Sequence, residues 1–170
     1  GGKLGSPKCQ QALMTCIDPV GTHTCIATYQ CQALCSSKVS DLDNIGCLYS
    51  CMRGADANVT SDVLGVGACS GDGADAKACS KALVACAQPS GSGLCKDIQP
   101  CVTTCGQDDE SQTSSCILEC MHTATSDAAQ AYANLLACFV PCQASCKNKQ
   151  TCETVCQAKC GKEINACSKG

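Results

Sequence analysis

Cysteine has the most chemistry to offer in this chain, supplying 22 of 170 residues. It recurs in CxxxC steps, as in "CQASCKNKQTCETVCQAKC" at 142–160, where the spacing breaks once across a polar "KNKQT" and then resumes. Two chemistries could use such a pattern. Clustered thiolates suit a soft ion such as Cu(I), while opposed cysteines can oxidise to disulfides. Cysteines four apart on a helix stand one turn, about 6 Å, apart along the axis with near-parallel Cβ vectors, so they are poorly placed to bond each other and each must face a neighbouring helix. In an antiparallel hairpin the pair nearest the loop meets first and the next pair meets one turn further away. The expected rungs are therefore Cys35 with Cys47 and Cys31 with Cys51, then Cys105 with Cys116 and Cys101 with Cys120. The terminal stretch gives a ladder of three: Cys146 with Cys152, Cys142 with Cys156, and Cys138 with Cys160.

The other reactive residues form no comparable pattern. No CxxC pair occurs, which disfavours a closed zinc site and covalent haem. His23 and His122 fall at unrelated places and read as exposed polar residues. "GSG" at 91–93 and "SGDGAD" at 70–75 lack the Lys-Ser/Thr or strand context of a phosphate loop, and read as a corner and a linker. The acidic run at 108–110 reads as a solvated turn, and Asp41 and Asp43 as helix caps. Asn58-Val59-Thr60 is a glycosylation sequon, relevant in a eukaryotic host. No catalytic, metal or cofactor site is expected.

The elements that must hold these cysteines emerge from an internal duplication. From Cys9 the intervals run x6, x8, x5, x3, x11, x3, x17 to Cys69; from Cys79 they run x6, x8, x5, x3, x10, x3, x17 to Cys138. Other positions follow, as in "CQQALMTCIDPVG" against "CSKALVACAQPSG". The organisation expected is a tail at 1–8, repeats at 9–69 and 79–138, a linker at 70–78 and a cysteine-rich hairpin at 139–170, whose "CGKEINAC" restores the x6 interval. Gaps of three and six between cysteines, filled with Ala, Leu, Gln and Lys, predict helices throughout, broken by the corners "DPVG" and "QPSG". The fold class is all-α: disulfide-rich, repeated helical hairpins. "SDAAQAYANLLAC" predicts a further helix capped by Ser126 or Asp127; its counterpart "TSDVLGVGAC", with Gly65 and Gly67, should form a weaker one.

Eight cysteines lie outside the hairpins. Cys16 with Cys25 and Cys86 with Cys95 would close the Pro-Gly corners. Cys9, Cys69, Cys79 and Cys167 stay unassigned: Cys9 with Cys69 would tie the first repeat, but by symmetry Cys79 would then seek Cys138, which the terminal ladder also claims.

At roughly 13% cysteine, above the level that marks a disulfide scaffold, with one Phe, three Tyr and no Trp, the chain depends on covalent staples. That places it in an oxidising compartment: secreted, extracellular or at the cell surface. A start without Met reads as processing of a signal-bearing precursor or a remnant of cloning. A net charge of −3 with few aromatics argues against nucleic acid, and no apolar run is long enough to span a membrane.

The succession "CSKALVAC…CKDIQPCVTTC…CILEC…ANLLACFVPCQASC" resembles cysteine-rich repeats of secreted or lipid-anchored envelope proteins of myxobacteria. The resemblance covers nearly the whole chain. It implies a helical, disulfide-bonded extracytoplasmic protein without known enzymatic activity, although the lipid-attachment cysteine of the anchored members is missing, Cys9 lying well inside. The leading expectation is thus a non-enzymatic structural protein that self-associates as a fibre or coat subunit. The alternatives are a secreted binding or toxin-like module, whose turns meet an extracellular protein partner, and a Cu(I)-thiolate store.

Overall fold

The computed structural model describes residues 14–35, 41–70, 75–106, 110–146 and 149–169. The tail at 1–8, Cys9, the acidic residues 108 and 109, and most of the hairpin turns singled out above lie outside the described residues. Among those described the fold is all-α. A helical turn at 14–17 leads to α1 (Cys25–Ala33), α2 (Asp41–Arg53) and α3 (Ala57–Gly67), which closes in a 3-10 turn at Ala68–Ser70. The second repeat supplies α4 (Ala76–Ala87), α5 (Cys95–Thr103), α6 (Glu110–His122) and α7 (Ser126–Ser145). Helices α8 (Lys149–Lys159) and α9 (Gly161–Lys169) complete the chain.

The corners are built alike in both repeats. Asp18 and Gln88, equivalent residues just before the prolines, take left-handed backbone angles (φ 49° and 47°) that end the preceding helix. The corner then docks on the end of the third helix of its own repeat. In the first, the N–H groups of Val20, Gly21 and His23 donate to the carbonyls of Arg53, Ala55 and Gly54; in the second, those of Ser90, Gly91 and Gly93 donate to His122, Ala124 and Thr123. The backbones run so close that a Cβ on Gly21 would lie 1.8 Å from the Gly54 carbonyl oxygen, and one on Gly91 equally near that of Thr123. Only glycine fits at either place.

Docking also sets the next helix. The N–H of Thr125 donates to the Gly93 carbonyl, leaving Thr125 extended, and its hydroxyl accepts from Ala128 N–H (3.2 Å). Thr125, not Ser126 or Asp127, is therefore the cap of α7. The equivalent Asp56 caps α3, accepting from Val59 N–H at 2.9 Å. Helix α3 remains α-helical through both glycines before tightening, and Gly65 has a packing reason: a Cβ there would stand 2.9 Å from that of Ala82 on α4. Helix α7 runs 20 residues, through Cys138, so the second repeat and the terminal hairpin share one helix.

The repeats do not keep separate cores. Tyr29, Met52 and Val63 of the first join Leu83, Ile98, Leu118, Met121 and Tyr132 of the second in one buried cluster. Helix α4 lies against α3 behind it as well as α7 ahead of it, and α1 lies against α6. A smaller cluster around Cys142, Cys152, Cys156 and Phe139 holds the terminal hairpin.

Candidate functional site

The covalent joints are the most distinctive arrangement of reactive side chains, and they fall into two kinds. Rungs within hairpins join Cys31 to Cys51 and Cys35 to Cys47 between α1 and α2, Cys101 to Cys120 and Cys105 to Cys116 between α5 and α6, and Cys142 to Cys156 and Cys146 to Cys152 between α7 and α8. Their Cα atoms are 5.6–5.8 Å apart, in the ordinary range for a disulfide. Each hairpin thus has two helices locked in register at one-turn intervals.

Joints between successive repeats form the second kind. Cys25, at the start of α1, bonds Cys86 near the end of α4, and Cys69, just after α3, bonds Cys79 in α4. The same two joints recur one repeat further on: Cys95 bonds Cys167, and Cys138 bonds Cys160. Cys160 and Cys167 therefore stand to the second repeat as Cys79 and Cys86 stand to the first, and α9 takes the place against the second repeat that α4 takes against the first. Cys69 and Cys79 are 10 residues apart; Cys138 and Cys160 are 22 apart, the difference being taken up by the laddered hairpin inserted at that joint.

These bonds correct the reading of the corners. Cys16 does not pair with Cys25, nor Cys86 with Cys95. The corner turns the chain onto its own third helix, so Cys86 is left facing the preceding repeat while Cys95 begins α5 towards the following one. Cys69 joins Cys79 instead of Cys9, which removes the conflict over Cys138, and Cys167 closes on Cys95. Cys16 is an exposed free thiol, and Cys9 lies outside the described residues. One signal for the joints was present in the sequence: "CGKEINAC" repeats the x6 pair of "CQQALMTC" and "CSKALVAC", which marks Cys160 and Cys167 as the counterparts of Cys79 and Cys86.

The remaining candidates stand as follows. His122 Nδ1 lies 2.9 Å from the Ala87 carbonyl and 2.7 Å from that of Gln88, with Nε2 3.3 Å from Ser90 Oγ, so it braces the second corner. His23 occupies the position of Gly93, beside Gly54. Asn58 is exposed in the first turn of α3. Sulfur trios do occur, at Cys35/Cys47/Cys51, Cys105/Cys116/Cys120 and Cys142/Cys146/Cys156, each with its atoms within 4.8 Å of one another. They are adjacent rungs seen together, every member being bonded. An apolar groove of about 490 Å³ opens on the first repeat between Ile17, Tyr29, Ile45, Leu48, Tyr49 and Met52. Among the described residues no helix is long and apolar enough to cross a membrane.

No protein-family model matches the chain, and comparison with curated proteins and with solved structures finds no match either.

Proposed function

We propose that the protein is a non-enzymatic, secreted or cell-surface scaffold whose repeats are riveted to one another as well as within themselves, suited to serve as a unit of a fibre or coat. The observation that carries this reading is the recurrence of the inter-repeat joint, Cys25 with Cys86 and again Cys95 with Cys167. A small domain that needs only to fold can be stapled locally. Bonds that fix the register of one repeat on the next transmit tension along the stack, which is what a structural element requires. The polar side chains nearest the corners serve the fold, His122 bracing the second corner, and twenty described sulfurs are joined in bridges. So many bridges also call for an oxidising compartment, the basis for placing the protein outside the cytosol.

The test is mechanical. Pulled from its ends in a single-molecule experiment, the oxidised protein should extend only through the stretches that no bridge spans, those before Cys25, between Cys86 and Cys95, and after Cys167, and by nearly its full contour after reduction. Full extension of the oxidised chain would sink the scaffold reading.

A second reading rests on the sulfur trios. If the bridges were reduced in the native setting, each trio would offer three thiolates suited to Cu(I). Copper bound to protein isolated without added oxidant, together with many free thiols, would favour that store over the scaffold.

A further inference from the structure

The three ladders share a contact that their bonds do not require. In each, the first-helix cysteine nearest the turn, just past the end of α1, α5 or α7, lies against the second-helix cysteine of the next rung. Cys35 Sγ is 3.7 Å from Cys51 Sγ and Cys146 Sγ is 4.0 Å from Cys156 Sγ, while the sulfurs of Cys105 and Cys120 stand within 4.8 Å. None of these is a bonded pair: Cys35 is joined to Cys47 and Cys51 to Cys31, and the other two ladders follow the same order. A sulfur so close to a disulfide can exchange with it once it becomes a thiolate. Burial decides where that thiolate arises. In the first two ladders the outer sulfurs, Cys47 with Cys31 and Cys116 with Cys101, are half-buried. The sulfurs that face each other are covered, Cys35 and Cys51 being 0% and 1% exposed, Cys105 and Cys120 8% and 2%. A thiol arriving from solvent therefore meets an outer sulfur and releases an inner one.

We propose that Cys31, Cys35, Cys47 and Cys51 form a thiol–disulfide exchange site, repeated at Cys101, Cys105, Cys116 and Cys120, whose substrate is a small thiol of the glutathione class. The entering thiolate attacks Cys47 Sγ, forming a mixed disulfide and breaking the Cys35–Cys47 bond, so that the electron pair passes to Cys35. Cys35 then attacks Cys51 Sγ across 3.7 Å, forming Cys35–Cys51 and breaking Cys31–Cys51. Cys31 leaves as the thiolate and takes up the proton that the entering thiol lost. Two disulfides are present before and two after, with no net oxidation. Entry at Cys31 follows the same path in reverse and releases Cys47. The transfer runs forward because it moves charge from a covered sulfur to one that reaches water. Its consequence is that the two helices stay cross-linked, through Cys35–Cys51, while a rung is open. The terminal ladder is wired differently. There Cys146 is both the half-buried member of its rung and the one facing the next rung, while Cys152 is 8% exposed. A thiol captured by Cys146 caps the sulfur that would have passed the electron pair on, and no transfer follows.

The experiment uses the oxidised 170-residue chain. Thiols already free are blocked first, so that Cys16 does not contribute. Glutathione is then added for a time too short to change the helical circular dichroism, and newly released thiols are trapped with an isotope-labelled maleimide at mildly acidic pH. Non-reducing digestion should recover glutathione on Cys47 with the label on Cys31, or the converse, together with a new Cys35–Cys51 peptide. The second ladder should give the same pattern at Cys116 and Cys101, with a new Cys105–Cys120 peptide. In the terminal ladder the label should stay on Cys152 and the Cys142–Cys156 bond should persist. Label on Cys35 or Cys105 with the neighbouring rung intact would overturn the proposal, and so would glutathione found only at other bridges or nowhere. A Cys146–Cys156 bond would equally overturn it, because transfer would then not depend on which sulfur is covered. The scaffold reading stands in each of these cases, since it rests on the joints between repeats, which the exchange does not touch.

Discussion

Cys25 and Cys86, 61 residues apart, are bonded across the boundary between the two repeats with their Cα atoms 5.0 Å apart, and both are buried in the common core. This bond fixes α1 of one repeat against α4 of the next, so the repeats cannot slide or separate while it is intact. Replacing both residues with alanine should cost about 2–4 kcal/mol, read from the denaturation midpoint, because it releases a loop of some sixty residues in the unfolded chain. Cys16→Ser, at a surface position with no bond to lose, should stay within about 0.5 kcal/mol of the parent.

The corner glycines should be intolerant of any side chain. Gly91→Ala places a methyl group 1.8 Å from the Thr123 carbonyl oxygen, with backbone atoms on which neither side can yield cheaply. Gly21→Ala does the same against Gly54. Each should destabilise by about 3 kcal/mol or more and loosen the corner, visible as faster amide exchange at Gly93 or His23. Gly46, inside α2 with nothing within 4 Å of where a methyl group would stand, is the control: alanine there should stabilise by about 0.5–1 kcal/mol through helix propensity.

Gly65→Ala sets two effects against each other. Helix propensity favours alanine by about 1 kcal/mol, whereas the new Cβ would meet that of Ala82 at 2.9 Å and overpacking costs about 1–3 kcal/mol. Net destabilisation is expected. Adding Ala82→Gly should recover part of it, since the contact lies between α3 and α4 and the double-mutant cycle isolates that contact.

The hairpin rungs were legible in the sequence because their geometry is local: two CxxxC pairs mirrored across a short polar turn leave one sensible register, as at Cys31, Cys35, Cys47 and Cys51. The all-α class followed from the same spacing. The inter-repeat joint was not legible from the corner alone. Cys16 and Cys25 are near neighbours in the chain, and a nearest-partner rule joins them; the rule fails because Gly21 docks the corner onto residues 53–55 and sends the two cysteines towards different neighbours. Only the third occurrence of the x6 pair, at Cys160 and Cys167, carried the long-range information. The cap of α7 was misjudged for a related reason, Thr125 being held extended by its bond to Gly93, a contact 32 residues away in sequence.

Burial of two phenols gives the protein a defined alkaline limit. Tyr29, whose hydroxyl donates to the Val63 carbonyl at 3.3 Å, and Tyr132 are both pushed up from 10.0 to about 12 by burial. Between those values the unfolded chain has released protons that the native state still holds. The resulting stability is complete below pH 10 and is lost as pH rises through 12, on the order of 2–3 kcal/mol per ring. Ultraviolet titration of the oxidised protein should show these two rings ionising near pH 12, and Tyr29→Phe should remove one of them from the curve.

Disulfide mapping of the oxidised 170-residue chain tests the central claim most directly. Repeat-to-repeat riveting predicts that non-reducing digestion recovers the peptide of Cys25 joined to that of Cys86, and the peptide of Cys95 joined to that of Cys167. Recovery of Cys16 joined to Cys25 and Cys86 joined to Cys95, each corner closed on itself, would contradict it.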